Sequence, residues 1–143
     1  MTIPLDYFVS TDKTKLDVDV IHQFLSSSYW AKGIPRSVIK KSIEHSLCFG
    51  VYHDTRQVGF ARVISDFTTF AYLADVFILE TYRGKGLSKM LMKEIVAFPQ
   101  LRGLRRFILA TRDAHGLYKQ FGFTEIKHPD RWMEIHNPNV YKK

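Results

Sequence analysis

From Thr68 to Leu79 the chain reads TTFAYLADVFIL, twelve residues that are nearly all apolar, β-branched or aromatic. Such a run suits a buried, pleated strand, and it predicts a strand at the centre of a sheet. One residue breaks the pattern. Asp75 is a carboxylate in apolar company, where burial is costly without a partner or a function. Directly behind the run stand Tyr82-Arg83-Gly84-Lys85-Gly86-Leu87-Ser88, after which Leu87, Met90, Leu91, Ile95 and Phe98 recur at helical spacing until Pro99 ends the pattern. A long strand, a two-glycine turn and an amphipathic helix in succession commit the chain to a mixed α and β fold.

The flanking sequence extends that frame. Thr2 to Ser10 alternates weakly and reads as a first strand. Asp17 or Asp19 can cap a helix carrying Val20, Ile21, Phe24, Leu25 and Tyr29. Ser26 to Ser37, with Gly33 and Pro35, is a loop holding two large aromatics, Tyr29 and Trp30. Pro35 suits the first turn of a second helix through Val38, Ile39, Ile43 and Leu47. Leu47 to Tyr52 and Val58 to Ile64 form an antiparallel hairpin over the turn His53 to Arg56. Beyond Pro99 the expectation is a strand from Arg106 to Thr111, a short helix about Leu117 to Phe121, and two strand-like pieces, Phe123 to Lys127 and Trp132 to Ile135. No repeat or linker divides the 143 residues, so a single domain over 1–143 is expected.

Composition narrows the classes of function. With 45% apolar residues and 14% aromatics the chain can fill a core, which excludes disordered and mini-protein classes. One cysteine, Cys48, closes no internal disulfide and offers no zinc-binding pair. It opens an apolar strand and reads as a small buried hydrophobe. Five of the six histidines (His22, His45, His53, His128 and His136) show no ligand spacing, and no metal is expected. A reducing, cytoplasmic setting without a membrane anchor is the expectation from cysteine usage and hydropathy.

The formal charge of +7 has a location. Residues 1–82 hold 8 basic and 9 acidic side chains, whereas residues 83–112 hold 8 basic and a single acid, Glu94. The excess surrounds the Gly84/Gly86 turn. Two glycines let backbone N–H groups approach a ligand closely, and a helix N-terminus adds free donors and partial positive charge. That combination suits a pyrophosphate. It is neither the dinucleotide fingerprint, whose third glycine position holds Lys89, nor the longer loop of nucleotide triphosphatases.

In order along the chain, Val76-Phe77-Ile78, Arg83-Gly84-Lys85-Gly86-Leu87-Ser88 and Leu117-Tyr118-Lys119-Gln120-Phe121-Gly122-Phe123 resemble three segments of the GNAT superfamily of N-acetyltransferases. These are its acyl-CoA-contacting strand, its Gln/Arg-x-x-Gly-x-Gly/Ala loop and its Leu-Tyr-x-x-x-Gly-Phe segment. Ser88 departs from the loop's final Gly or Ala but is small enough to keep the backbone close to a ligand. The resemblance implies a mixed, largely antiparallel sheet flanked by helices and splayed at its central strands. It also implies acetyl-CoA held by Val76, Phe77, Ile78 and the loop residues Arg83, Gly84, Lys85, Gly86, Leu87 and Ser88, with free backbone donors at Phe77 and Ile78.

Acetyl transfer to an amine needs a neutral nucleophile, a polarised thioester carbonyl and a proton for the departing thiolate. The resemblance makes Tyr118 the general acid, and a phenol with a pKa of about 10 is protonated at neutral pH. Packing beside Leu117 and Phe121 is its plainer reading. For the base, Asp75 and relay through water both stay open, with His115 and Glu80 behind them. Asp113 reads as an N-cap. Tyr29 and Trp30 suit an aromatic or cationic amine and Arg36 a carboxylate. Trp132 either closes that pocket or packs beneath the sheet.

The expected partner is a small-molecule amine, with no nucleic acid and no membrane; a homodimer stays open. The competing readings are a CoA-binding domain without catalysis and a basic nucleic-acid-binding module.

Overall fold

The computed structural model describes residues 6–142. The chain runs through β1 (Tyr7–Ser10), α1 (Val18–Ser27), α2 (Arg36–Glu44), β2 (Leu47–His53), β3 (Arg56–Ser65), β4 (Phe70–Ile78), α3 (Leu87–Ala97), β5 (Arg106–Leu109) and α4 (His115–Lys119), with one-turn helical segments between some of them. The strands form one sheet in sequence order, β1-β2-β3-β4-β5. The first four are antiparallel neighbours and β5 lies parallel to β4. The expected mixed, largely antiparallel architecture is therefore present. No helix among the described residues is long and apolar enough to cross a membrane.

Local chemistry explains the element ends. Asp17, not Asp19, caps α1, its carboxylate accepting from the N–H groups of Asp19 and Val20 at 3.1 and 3.2 Å. α2 stops at Glu44, so Leu47 belongs to β2. Asp113 does not cap α4. Ala114 stands at the N-cap and supplies no side-chain cap, while the Thr111 hydroxyl accepts from the Ala114 N–H at 3.1 Å and holds the turn that leads into the helix. Of the first expected strand, Tyr7–Ser10 forms β1, and residues 2–5 lie outside the described part.

The helices cover both sheet faces. On one face Leu87, Leu91, Met92 and Ile95 of α3 pack on Phe49, Val51, Val63, Leu73 and Ile78. On the other, Ile21 and Leu25 of α1 and Ile39 and Ile43 of α2 enclose Cys48, Phe60 and Phe77. β4 changes sides within its length. Ala71 and Leu73 face α3, and strict alternation would send residue 77 there as well, yet Phe77 faces α1 and α2. The register shows why: Phe60 opposes Phe77 but Arg62 opposes Ala74, so Asp75 and Val76 share one partner position. A bulge of one residue reverses every side chain beyond it. Asp75 carries its left-handed turn, with φ +56°.

The two expected C-terminal strands are not formed. From Phe123 to Ile135 the chain has no ladder partner among the described residues. As far as Trp132 it lines the far side of a groove beside β5, and Met133 to Ile135 are exposed.

Candidate active site

β4 and β5 diverge. Their pairing runs from Phe70/Arg106 to Leu73/Leu109 and stops, while β4 continues to Ile78. Past the bulge, the side of β4 turned away from β3 has no ladder partner among the described residues. The Leu79 N–H donates to the Val58 carbonyl at 2.8 Å, and Gly59 and Phe60 oppose Ile78 and Phe77. Antiparallel neighbours exchange hydrogen bonds at every second position, so Phe77 bonds to Phe60, and the N–H groups of Val76 and Ile78 face the opening. That corrects the expectation for Phe77, whose N–H belongs to the sheet. Its ring stacks on Phe24, 4.0 Å between centroids.

Below the opening, Gly84 and Gly86 both adopt positive φ, +78° and +81°, a region glycine enters without steric cost. Gly86 is the N-cap of α3 and supplies no side-chain oxygen. The first intrahelical bond is from Met90 to Gly86. The N–H groups of Leu87, Ser88 and Lys89 are therefore left as free donors at the positive end of the helix dipole. The Arg83 guanidinium donates to the Ile78 carbonyl at 3.0 Å, tying the loop to the end of β4. Lys85 and Lys89 are exposed beside it. The donors are what a pyrophosphate needs, and the open-side N–H groups of β4 are what an amide-bearing arm needs, so the chain fits acetyl-CoA.

Above the opening, the loop after α1 bridges the two diverging strands. The Trp30 Nε1–H donates to Asp75 Oδ1 at 2.9 Å. The Arg112 guanidinium, beyond β5, lies 3.8 Å from the centroid of the Tyr29 ring. Asp75 is engaged on its other oxygen too, accepting from Arg62 Nε at 2.8 Å, and Arg62 also reaches the Ser46 hydroxyl. The Asp75 and Arg62 side chains are only 10% and 18% exposed, so this ion pair is largely shielded from water.

Tyr118, on α4, is buried with its ring edge-on to Phe123. Burial, then the nearby Tyr29 and Asp113, push its phenol above the ordinary value of 10.0. Among the described residues no protein group hydrogen-bonds its hydroxyl.

The structure thus gathers Tyr29, Trp30, Asp75, Val76 and Ile78 about one opening, with the glycine loop below it. Arg36 is not brought there. It pairs with Asp19 at 3.0 Å at the far end of α1 from Trp30. Trp132 neither closes the opening nor packs beneath the sheet: its ring lies under the Arg106 guanidinium, 4.8 Å to the centroid, at the start of β5. His53 bonds Asp6 at 2.6 Å and stacks on Tyr7 at the other sheet edge. Arg62 and Arg112, which hold the site's walls, carry no sequence signal beyond their charge.

Comparison with known proteins agrees. The family model described as "Acetyltransferase (GNAT) family" matches residues 16–123. A Gibberella zeae protein assigned as an acetyltransferase is 32% identical over 87% of this chain and 83% of its own length. A crystallised GNAT-family protein of Xanthomonas campestris pv. campestris is 52% identical, with a TM-score of 0.96 over 99% of this chain and all of that one. A protein of Clostridium acetobutylicum solved with acetyl-CoA shares the fold, with TM-score 0.64 at 14% identity over 91% of this chain and 94% of that one. The chain belongs to the GNAT family of acetyltransferases.

Proposed function

We propose that this protein moves the acetyl group of acetyl-CoA to a primary amine of a small molecule. The observation that carries the reading is the opening between β4 and β5 past Leu73, set directly above an uncapped helix N-terminus. Leu87, Ser88 and Lys89 N–H groups with Lys85 would hold the diphosphate. Val76 and Ile78 N–H groups would hold the pantetheine arm and donate to the carbonyl oxygen as negative charge grows there, a contribution of oxyanion-hole type. When bound, acetyl-CoA supplies an acetyl group activated as a thioester.

The amine nitrogen forms a bond to the acetyl carbon as the carbon–sulfur bond breaks. Tyr118 gives its proton to the departing sulfur and is reprotonated from solvent. Its raised pKa keeps that proton in place across the physiological range. The amine's own proton leaves through water. Both oxygens of Asp75 already accept from protein donors, so we give Asp75 the task of positioning Trp30. Half-exposed Tyr29 and Trp30, 54% and 42%, roof the opening and favour an acceptor small enough to pass beneath two rings.

The test is calorimetry with acetyl-CoA, together with thiol release on a panel of small amines and peptides. Micromolar binding with thiol release on a small amine supports the reading. Binding without transfer to any acceptor would make the chain an acyl-CoA-binding domain, and absence of binding overturns the site itself.

A further inference from the structure

The basic residues of the 83–112 segment do not all serve the glycine loop. Arg112 stands above the opening, its guanidinium 3.8 Å from the centroid of the Tyr29 ring, whereas the loop lies below. Contacts run without a break from the β4 bulge to this cation. The Trp30 indole donates to Asp75 at 2.9 Å, and the Tyr29 ring lies edge-on to Trp30, 5.1 Å between centroids. Tyr29 in turn is close enough to Tyr118 to raise its phenol. Arg112 is therefore a fixed part of the acceptor's entrance.

Its charge is unspent. Among the described residues no carboxylate forms an ion pair with it, the adjacent Asp113 included, and no oxygen accepts from its guanidinium. A guanidinium against a ring keeps its donors at its edge, where they match the two oxygens of a planar acid. The other arginine of the site is committed. Arg62 pairs with Asp75 at 2.8 Å, so those two charges cancel. A purely cationic amine would meet an uncompensated positive charge at Arg112 and find both Asp75 oxygens occupied.

We propose that Arg112 holds a carboxylate carried by the acceptor, which makes that acceptor an amino acid or a comparable small amine-bearing acid. This rests on the acetyl-transfer reading and adds to it the chemical class of the acceptor. One guanidinium edge with one positive charge suits a carboxylate, whereas a phosphate dianion calls for a second cation, which Arg62 is not free to supply. Two parallel hydrogen bonds fix the acid end and leave the amine to reach the thioester. Arg36, the arginine expected to hold a carboxylate, is paired with Asp19 instead. Only the packing of the loop after α1 against the end of β5 brings Arg112 to the entrance.

The test compares amines that differ by one carboxylate: phenylalanine with phenethylamine, leucine with isopentylamine, lysine with cadaverine. In each pair the acid should have the higher kcat/KM by about tenfold or more, the share of a charge-assisted, bidentate pair. Arg112→Met keeps a side chain against Tyr29 without the charge. It should erase that preference by raising KM for the acids more than for their partners, with acetyl-CoA affinity held. Arg112→Lys, with charge but no fork, should restore part of it. β-Alanine should be used better than O-phosphoethanolamine. Calorimetry of the same compounds on the protein loaded with CoA reads the subsite without transfer, so Arg112-dependent binding of the acids upholds it even where no thiol is released and the acetyl-transfer reading fails. Binding and thiol release that ignore the carboxylate, a preference that survives Arg112→Met, a preference for the phosphate, or a loss of acetyl-CoA affinity in Arg112→Met would each overturn the subsite while leaving acetyl transfer standing.

Discussion

At the scale of single residues the site rests on two side chains whose roles differ in kind. In the proposed reaction Tyr118 offers a proton and Asp75 offers geometry. Tyr118→Phe removes one hydroxyl from a buried ring and leaves the packing against Phe123 intact. Turnover should fall by about 10²-fold or more, the usual share of a general acid, with acetyl-CoA affinity measured by calorimetry unchanged. Asp75→Asn keeps a side chain suited to positive φ, removes the charge and turns one of the two accepting oxygens into an NH2 donor, leaving a single acceptor that Arg62, the charged donor, takes from Trp30. Arg62 then loses its counter-ion in a shielded place, so the stability read from urea unfolding should drop by about 1–3 kcal/mol, and Trp30 fluorescence should shift as the indole loses its acceptor. An unchanged Trp30 signal would sink the positioning role.

At the scale of elements, the bulge in β4 makes the site. It turns Phe77 from the α3 face to the face of α1 and α2, and aims the N–H groups of Val76 and Ile78 into the opening. Gly59 of β3 is its foundation. A Cβ there would lie 2.6 Å from Ile78 Cδ1 and 3.0 Å from both the Phe77 carbonyl oxygen and Val51 Cβ. Gly59→Ala must therefore turn the Ile78 side chain aside and press on the Phe77 carbonyl at the binding end of β4, and acetyl-CoA affinity should fall. Gly84→Ala is the contrast. Its Cβ would meet nothing within 4 Å, so only the strain of φ +78° remains, roughly 1–2 kcal/mol, readable as a lower melting temperature.

At the scale of the whole molecule, the sheet's α1/α2 face carries a pH dependence. Burial pushes the Cys48 thiol from 9.0 up to about 11 and the Tyr52 phenol from 10.0 up to about 12. Both groups are held neutral in the folded state, so their contribution is complete below the unfolded values and is lost as pH rises through the folded ones. Denaturant unfolding should give constant stability up to about pH 8.5 and a decline between pH 9 and 12, with Cys48 accounting for about 2–3 kcal/mol at 1.36 kcal/mol per unit. In Cys48→Ala the decline should begin about one unit higher.

Much of this molecule was legible along the chain, because helices, hairpins and glycine turns are written in spacing and local chemistry. The Thr68–Leu79 run and the Gly84/Gly86 turn marked out an interior strand and the glycine-capped start of α3, and the three segments about them pointed to the family. What only the tertiary structure decided depends on contacts between distant residues. The bulge at Asp75 arises from register against β3, which no alternation pattern reveals. Arg36 was misplaced because the carboxylate it meets, Asp19, lies at the wrong end of α1. Phe123–Lys127 and Trp132–Ile135 carry strand chemistry, but a strand exists only where another backbone accepts its hydrogen bonds, and among the described residues none pairs with either segment.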